Sequence, residues 1–311
     1  PEAASGLPAV NRSLLTAGFV VALSFFARPA IADGPMIGAL EDVPGEHEGE
    51  ASSFHVRVLF HKAGERWISF LRACGDLDCL QRAPSLLPRK VRWTVGFDGR
   101  MLGTVEAATP DHYDYYAHEG MQDVVSGSPV PTVGARAREF GGFTEAPVYR
   151  PLVTVNAADV ADPDRWKPAS QDQVPLPQLR HLFRARYPKL CKADEKDESR
   201  MEPYPYGDAQ VHSVKAYASA RGWIIARLHL NDAVDCKDTE AGFAIVDPWF
   251  VIDPAGSGRY LDDGIWLVDA GDYDQDGRSE LVFAISRYNR GGYELFYDDF
   301  SRRAVFQFSY H

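Results

Sequence analysis

The sequence predicts a mainly β chain, propeller-like or built from several hairpins, with one short helix. Three observations predict it. Short runs alternate apolar and polar residues, Gly and Asp turn residues separate them, and the carboxy-terminal stretch divides into four consecutive strand candidates.

The first element is not part of that fold. Arg12 supplies a positive charge, Leu14 to Ala27 form an apolar run of signal-core length, and Ala30-Ile31-Ala32 offers the small-x-small pattern that signal peptidases cut. Residues 1–32 are therefore expected to be an export signal, with the mature chain starting at Asp33 and residing in the periplasm or outside the cell. The rival reading, a membrane anchor, needs the apolar run to continue through Arg28 and Pro29. Removing residues 1–32 takes away Arg12, Arg28 and Glu2 and leaves 31 basic against 43 acidic residues, a formal charge of −12. Such a surface repels nucleic acid and anionic lipid. No later segment is apolar enough for a transmembrane helix, and a protein or glycan partner is the expected class.

Residues 33–53 are acidic and rich in Gly and Pro and read as a flexible lead-in. The β-rich domain is expected over 54–311, with any subdivision near 150–176. "FHVRVLF" sets Phe54, Val56 and Val58 against His55 and Arg57, and "KVRWTVGFDGRMLGTVEA" reads as two strands turned at Asp98-Gly99. Residues 107–147 and 156–176 are polar and read as long surface loops. Behind Pro177, Leu179, Leu182, Phe183 and Tyr187 fall at helical spacing, with Arg180 and Arg184 on the other side, the pattern of a surface helix.

In the last hundred residues, Leu281 to Ile285 are apolar at every position, as in a strand covered on both faces. Phe306, Phe308 and Tyr310 alternate with Gln307 and Ser309, as in a half-wet outer strand. A central strand followed outward to an edge strand is how a propeller blade is built, and the blade is expected over 262–311. A faint echo supports a repeat: Ala218-Ser219 and Gly222-Trp223 lie about seventy residues before Ile285-Ser286 and Gly292-Tyr293.

Export makes the four cysteines a disulfide set. The simplest pairing joins Cys74 with Cys79 and Cys191 with Cys236, one of the three pairings that four cysteines allow. A four-cysteine zinc site is the rival, weakened by spacings unlike a zinc knuckle.

The most specific chemistry lies in "DYDQDGRSE". In a tight loop the side chains of Asp272, Asp274 and Asp276 converge, Gly277 permits a positive φ, the Arg278 carbonyl turns inward and Glu280 closes the cage. Hard oxygen donors in this number suit Ca2+. An acidic turn that binds nothing is the plain alternative, but a turn needs only one or two such residues. In an EF-hand the closing Glu would stand at Phe283 and the flanks would be helices, whereas here they read as strands. The segment resembles the calcium loops of integrin-α-like FG-GAP and VCBS repeats, Asp-x-Asp-x-Asp-Gly-x-x-Asp between two blade strands. That resemblance covers residues 265–310 and implies side-chain ligation by Asp272, Asp274, Asp276 and Glu280, backbone ligation by Arg278, and a propeller blade. Glu280 departs from the family's final Asp. The ending "GGYELFYDDF" with "FSYH" is also similar to exported bacterial proteins, which implies no activity.

No catalytic constellation is legible. His118-Glu119 lacks the second histidine of a zinc-protease motif, and "AGSGR" around Ser257 lacks the first glycine of a nucleophile elbow. Asp111, His112, Tyr113, Asp114, Tyr115, Tyr116 and His118 gather in one stretch that reads either as a sugar-lining loop or as a polar loop with anchoring tyrosines. The expectation is an exported, calcium-binding β protein acting as a binding or structural module. The alternative is a secreted hydrolase with a site built from the long loops, and sequence leaves catalysis open.

Overall fold

The alternation in "FHVRVLF" becomes the wall of a barrel. The computed structural model describes residues 34–43, 53–133, 150–194, 197–231, 233–236, 246–287 and 289–309, so the expected export signal lies outside the described residues. Seven strands form the first sheet: β1 (Met36–Val43), β2 (Ser53–Ala63), β3 (Arg66–Ser69), β4 (Lys90–Phe97), β5 (Arg100–Ala108), β6 (Met121–Val124) and β7 (Leu152–Val155). They run in the order β1-β7-β4-β5-β6-β2-β3, and β1 also pairs with β2. Six strands thus close on themselves, all pairings antiparallel, and β3 extends from β2. Closure leaves no edge among the six. A barrel this small is filled by side chains. Val56, Val58, Phe60, Trp93, Val95 and Val105 are all buried. Gln122, also buried, is satisfied by Trp93 Nε1 at 2.9 Å and by donating to Pro88 O and Thr109 Oγ1. Asp98 and Gly99 turn β4 into β5 with φ of 49° and 66°, the left-handed pair a two-residue hairpin demands.

The carboxy-terminal half adds β8 (Lys167–Pro168), helix α2 (Leu176–Arg186), β9 (Leu190–Asp194), β10 (Asp197–Pro203), β11 (His212–Ala218), β12 (Ile224–His229) and β13 (Val234–Asp235), and then six more strands. These are β14 (Pro248–Ile252), β15 (Gly258–Asp263), β16 (Ile265–Gly271), β17 (Glu280–Arg287), β18 (Arg290–Tyr297) and β19 (Arg302–Ser309). They form a five-stranded sheet β15-β14-β12-β11-β8, a four-stranded meander β16-β17-β18-β19 and a three-stranded sheet β10-β9-β13. The meander is the middle layer. Val282 and Leu295 pack toward the barrel core, while Leu281, Phe283 and Ile285 pack with Ile225, Trp249 and Val251 of the five-stranded sheet. The other face of that sheet meets α2 through Leu179 and Phe183. Period-two alternation along β17 therefore feeds two different cores, which is why its apolar run has no polar face.

The chain is mainly β as expected, and it departs from expectation in four places. A closed barrel stands where a propeller was expected, and the described residues form no ring of blades. Residues 36–43, read from composition as part of a flexible lead-in, form β1: Met36, Ile37, Ala39 and Leu40 are buried. Gly38 there allows an approach in which a Cβ would meet Thr154 Oγ1 at 2.7 Å. Within the expected loop 107–147, β6 completes the barrel. A second short helix, α1 (Leu77–Arg82), precedes β4; at six residues it is too short to show a 3.6-residue period, and Asp76 caps it through the Cys79 amide at 2.7 Å. Both expected disulfides, Cys74–Cys79 and Cys191–Cys236, are formed. No helix among the described residues is long and apolar enough to cross a membrane.

Candidate functional site

The acidic loop joins β16 to β17 and lies against two other parts of the fold. Asp272 sits just after the last residue of β16, so its side chain is held at the loop mouth. Its Oδ1 accepts from the Asp276 amide at 2.9 Å and its Oδ2 from the Gly277 amide at 2.8 Å. These bonds pull the chain around the carboxylate. Gln275 at φ 64° and Gly277 at φ 86° supply the left-handed turns, the second at the expected glycine. Asp274 Oδ1 accepts from the Asp276 amide at 3.2 Å, and Asp276 Oδ1 from the Arg278 amide at 2.9 Å. One oxygen of each of Asp272, Asp274 and Asp276 lies within 4.8 Å of the others.

Glu280 opens β17 and is almost fully buried, its Oε2 accepting from the Tyr273 amide at 2.8 Å. Burial, reinforced by the nearby aspartates, pushes its carboxyl up to about 9. Burial also raises the Asp272 carboxyl. The Arg278 guanidinium turns outward to Asp276 at 3.0 Å and Asp298 at 3.4 Å.

Two neighbours were not visible in the local motif. The segment between β7 and β8 braces both ends of the loop: the Asp272 amide donates to Ala161 O at 2.8 Å, and Ser279 Oγ donates to Asp162 Oδ1 at 2.5 Å. From the end of β2, the Lys62 ammonium pairs with Asp274 Oδ2. Lys62 is 212 residues away in sequence, so only the fold brings this counter-charge to the loop. The donor set fits a hard divalent cation: three converging carboxylates on a loop shaped by its own amides, with a buried fourth carboxyl at its end. A bound cation would take the place of the Lys62 ammonium on Asp274.

A second feature lies where the meander meets the five-stranded sheet. A groove of about 220 Å³ is lined by Lys215 and Tyr217 of β11, Arg227 of β12, Trp249 of β14 and Trp266 of β16, among others, none of them carboxylates. Tyr217 stacks on Trp249 at 6.2 Å and 19°, and Trp249 is fixed by donating Nε1–H to Ile265 O at 2.7 Å. The volume is below the roughly 300–1,000 Å³ of pockets that enclose drug-sized ligands, so it suits one ring at a time.

In the stretch from Asp111 to His118, Tyr113 is buried and anchors the loop by donating to Met121 O at 2.8 Å, while Tyr115 is exposed. Asp262 and Glu294 do form a close carboxyl pair, and Glu294 is raised to about 8 by burial and then by Asp262. Both Asp262 oxygens, however, are held by arginines, Arg287 at 2.7 Å and Arg303 at 3.2 Å.

Fold and site together define a class: a mainly β protein with a closed antiparallel barrel, stacked sheets and an aspartate-rich hairpin braced by the barrel and by the segment after β7. Compared with protein-family models, curated proteins and solved structures, the chain has no match.

Proposed function

We propose that the protein is an exported, calcium-binding β module that offers an aromatic groove to a glycan or protein partner. The observation that carries the reading is the convergence of Asp272, Asp274 and Asp276 on a hairpin tied to the barrel and to the segment after β7. On this reading the hairpin is a calcium loop of the FG-GAP or VCBS kind, and the two stacked sheets behave as blades without a ring. Asp272, Asp274, Asp276, the Arg278 carbonyl and Glu280 are the proposed ligands, and Ca2+ supplies the charge that lets four acidic groups share one turn. Two disulfides fit the oxidising periplasm or exterior.

Lys62 gives a sharp test. Lys62→Met removes the internal competitor, so calcium affinity measured by titration calorimetry should rise about five-fold, the equivalent of a pair worth about 1 kcal/mol. The same variant without calcium should melt below wild type. An unchanged affinity would mean that calcium and Lys62 do not compete for Asp274.

On this reading Trp266 carries the binding role, because aromatic faces stack on sugar rings and side chains while Lys215 and Arg227 of the same groove orient a polar edge. Trp266→Ala should weaken retention on immobilised polysaccharides or peptides roughly tenfold, about 1.4 kcal/mol, without lowering calcium affinity. The alternative, a hydrolase, is favoured by the Asp262–Glu294 pair alone. Cleavage of an offered glycan that disappears in Glu294→Gln would support it over the binding module.

A further inference from the structure

Away from the hairpin, one face of the barrel holds a buried carboxyl beside a disulfide. Cys74 and Cys79 close a short loop, and one oxygen of Glu119 lies within 4.8 Å of both sulfur atoms. Glu119 is 1% exposed. Its Oε1 accepts from the Cys74 amide at 2.8 Å, while Oε2 is buried with no hydrogen-bond partner among the described residues. A buried, half-satisfied carboxyl is costly, and its position demands a reason. Gly120, at φ 81° with Phe306 Cζ and Val58 O within 3.2 Å of where a Cβ would stand, forces the turn that aims Glu119 inward.

The two sulfurs are not equivalent. Cys74 is buried, whereas Cys79 is half-exposed on α1, beside the exposed Leu77 and Asp78. An incoming thiolate therefore reaches Cys79, and the sulfur that leaves is the one that shares its amide with Glu119.

We infer that Cys74–Cys79 is an exchangeable disulfide, not only a staple, and that Glu119 is the residue that moves the proton during exchange with a dithiol of a partner protein. In the forward step the partner's thiolate attacks Cys79 Sγ and forms a mixed disulfide. The Cys74–Cys79 bond breaks, its electron pair goes to Cys74 Sγ, and protonated Glu119 gives that sulfur its proton. The partner's second thiol, as thiolate, then attacks its own sulfur in the mixed disulfide and releases Cys79 as thiolate. The partner is oxidised to a disulfide and this chain is reduced to a dithiol, two electrons passing between them. In reverse, the Glu119 carboxylate takes the proton from Cys74.

The surroundings set the proton affinity this needs. Burial raises the Glu119 carboxyl to about 7, opposed by the Cys74 amide and by the Arg57 guanidinium. Arg57 of β2 donates to the Glu119 backbone carbonyl at 2.5 Å, with Glu41 of β1 and Tyr293 of β18 behind that arginine; Tyr113 faces Glu119 from the loop before β6, and His118 adjoins it in the chain. Asp76 and Asp78 stand on the disulfide loop itself. The Cys191–Cys236 disulfide has no such carboxylate among the described residues, which makes it an internal control.

The test uses the full chain under native conditions, with dithiothreitol as the dithiol and mass spectrometry of alkylated peptides to follow each disulfide separately. Cys74–Cys79 should open at least ten-fold faster than Cys191–Cys236, and its opening rate, taken per unit of dithiothreitol thiolate, should change slope with pH near 7. Glu119→Gln should slow opening roughly ten-fold or more at neutral pH and remove that break, the loss expected for an absent general acid. Equal opening of both disulfides, or opening only when the protein unfolds, would overturn the proposal. A Glu119→Gln profile that retains the break would overturn the role of Glu119. Should that variant fail to fold, the wild-type slope alone decides, since a straight line through pH 7 contradicts it.

Discussion

Arg57→Met should destabilise the protein by about 3–5 kcal/mol in a urea titration, because it leaves the part-buried Glu41 carboxylate without its charge partner. Arg57 is 2% exposed and grips Glu41 with two bonds of 2.8 Å. Its third nitrogen donates to Glu119 O at 2.5 Å, and its guanidinium lies 4.2 Å from the centre of the Phe308 ring. Tyr293 of β18 donates to the same Glu41 carboxylate at 2.6 Å. The pair therefore pins the barrel wall to the four-stranded meander. Desolvation makes such a pair a poor source of net stability but a costly one to break. The double variant Arg57→Met, Glu41→Leu should accordingly recover much of the loss. A single-variant loss below about 1 kcal/mol would mean that the pair behaves as an exposed one.

Phe283→Ala should cost about 3–5 kcal/mol as well, by a cavity and not by charge. Phe283 is fully buried at the centre of the meander, edge-on to Trp249 at 5.4 Å and to Phe296 at 5.4 Å. It lies on the strand that Glu280 begins, so the cavity loosens the same β17 that carries one end of the acidic loop. Calcium affinity should fall together with stability in this variant. Phe283→Leu, which keeps most of the volume, should lose less than about 1.5 kcal/mol and hold calcium nearly as wild type. Equal calcium affinity in the alanine variant would separate the loop from the core beneath it.

These two residues also mark what the sequence could and could not carry. The run around Phe283 reads correctly as a strand buried on both faces, because that condition writes itself into consecutive residues. The helix at 176–186 and the Asp98-Gly99 turn are legible for the same reason. Arg57 reads as the polar face of β2, and nothing local says that β18 and β19 will cover it. The barrel itself is hidden because closure depends on β1 pairing with both β2 and β7, and β1 is acidic at its end and broken by Gly38. Four-stranded meanders look alike whether or not they join a ring, so the blade pattern over 262–311 could not distinguish a propeller from stacked sheets. At the hairpin, the positive φ at Gly277 and the convergence of three aspartates follow from spacing. Lys62, Ala161 and Asp162 arrive through tertiary structure. Glu119 is the sharpest case: it stands in the sequence as half of an incomplete zinc-protease motif, and only the fold sets it beside Cys74 and Cys79.

Thermal melting with and without calcium tests the central claim most directly. At a free calcium concentration of about 100 times Kd, binding adds about 2.7 kcal/mol, a rise of roughly 5–10 °C in Tm for a chain of this size. Wild type should show that rise and lose it with chelator, and Asp276→Ala, which removes an exposed loop carboxylate and leaves the core untouched, should melt at the same temperature in both conditions. A wild-type Tm that ignores calcium, or an Asp276→Ala protein that still gains the full rise, would contradict the account and leave "DYDQDGRSE" as an acidic turn whose counter-charge is Lys62.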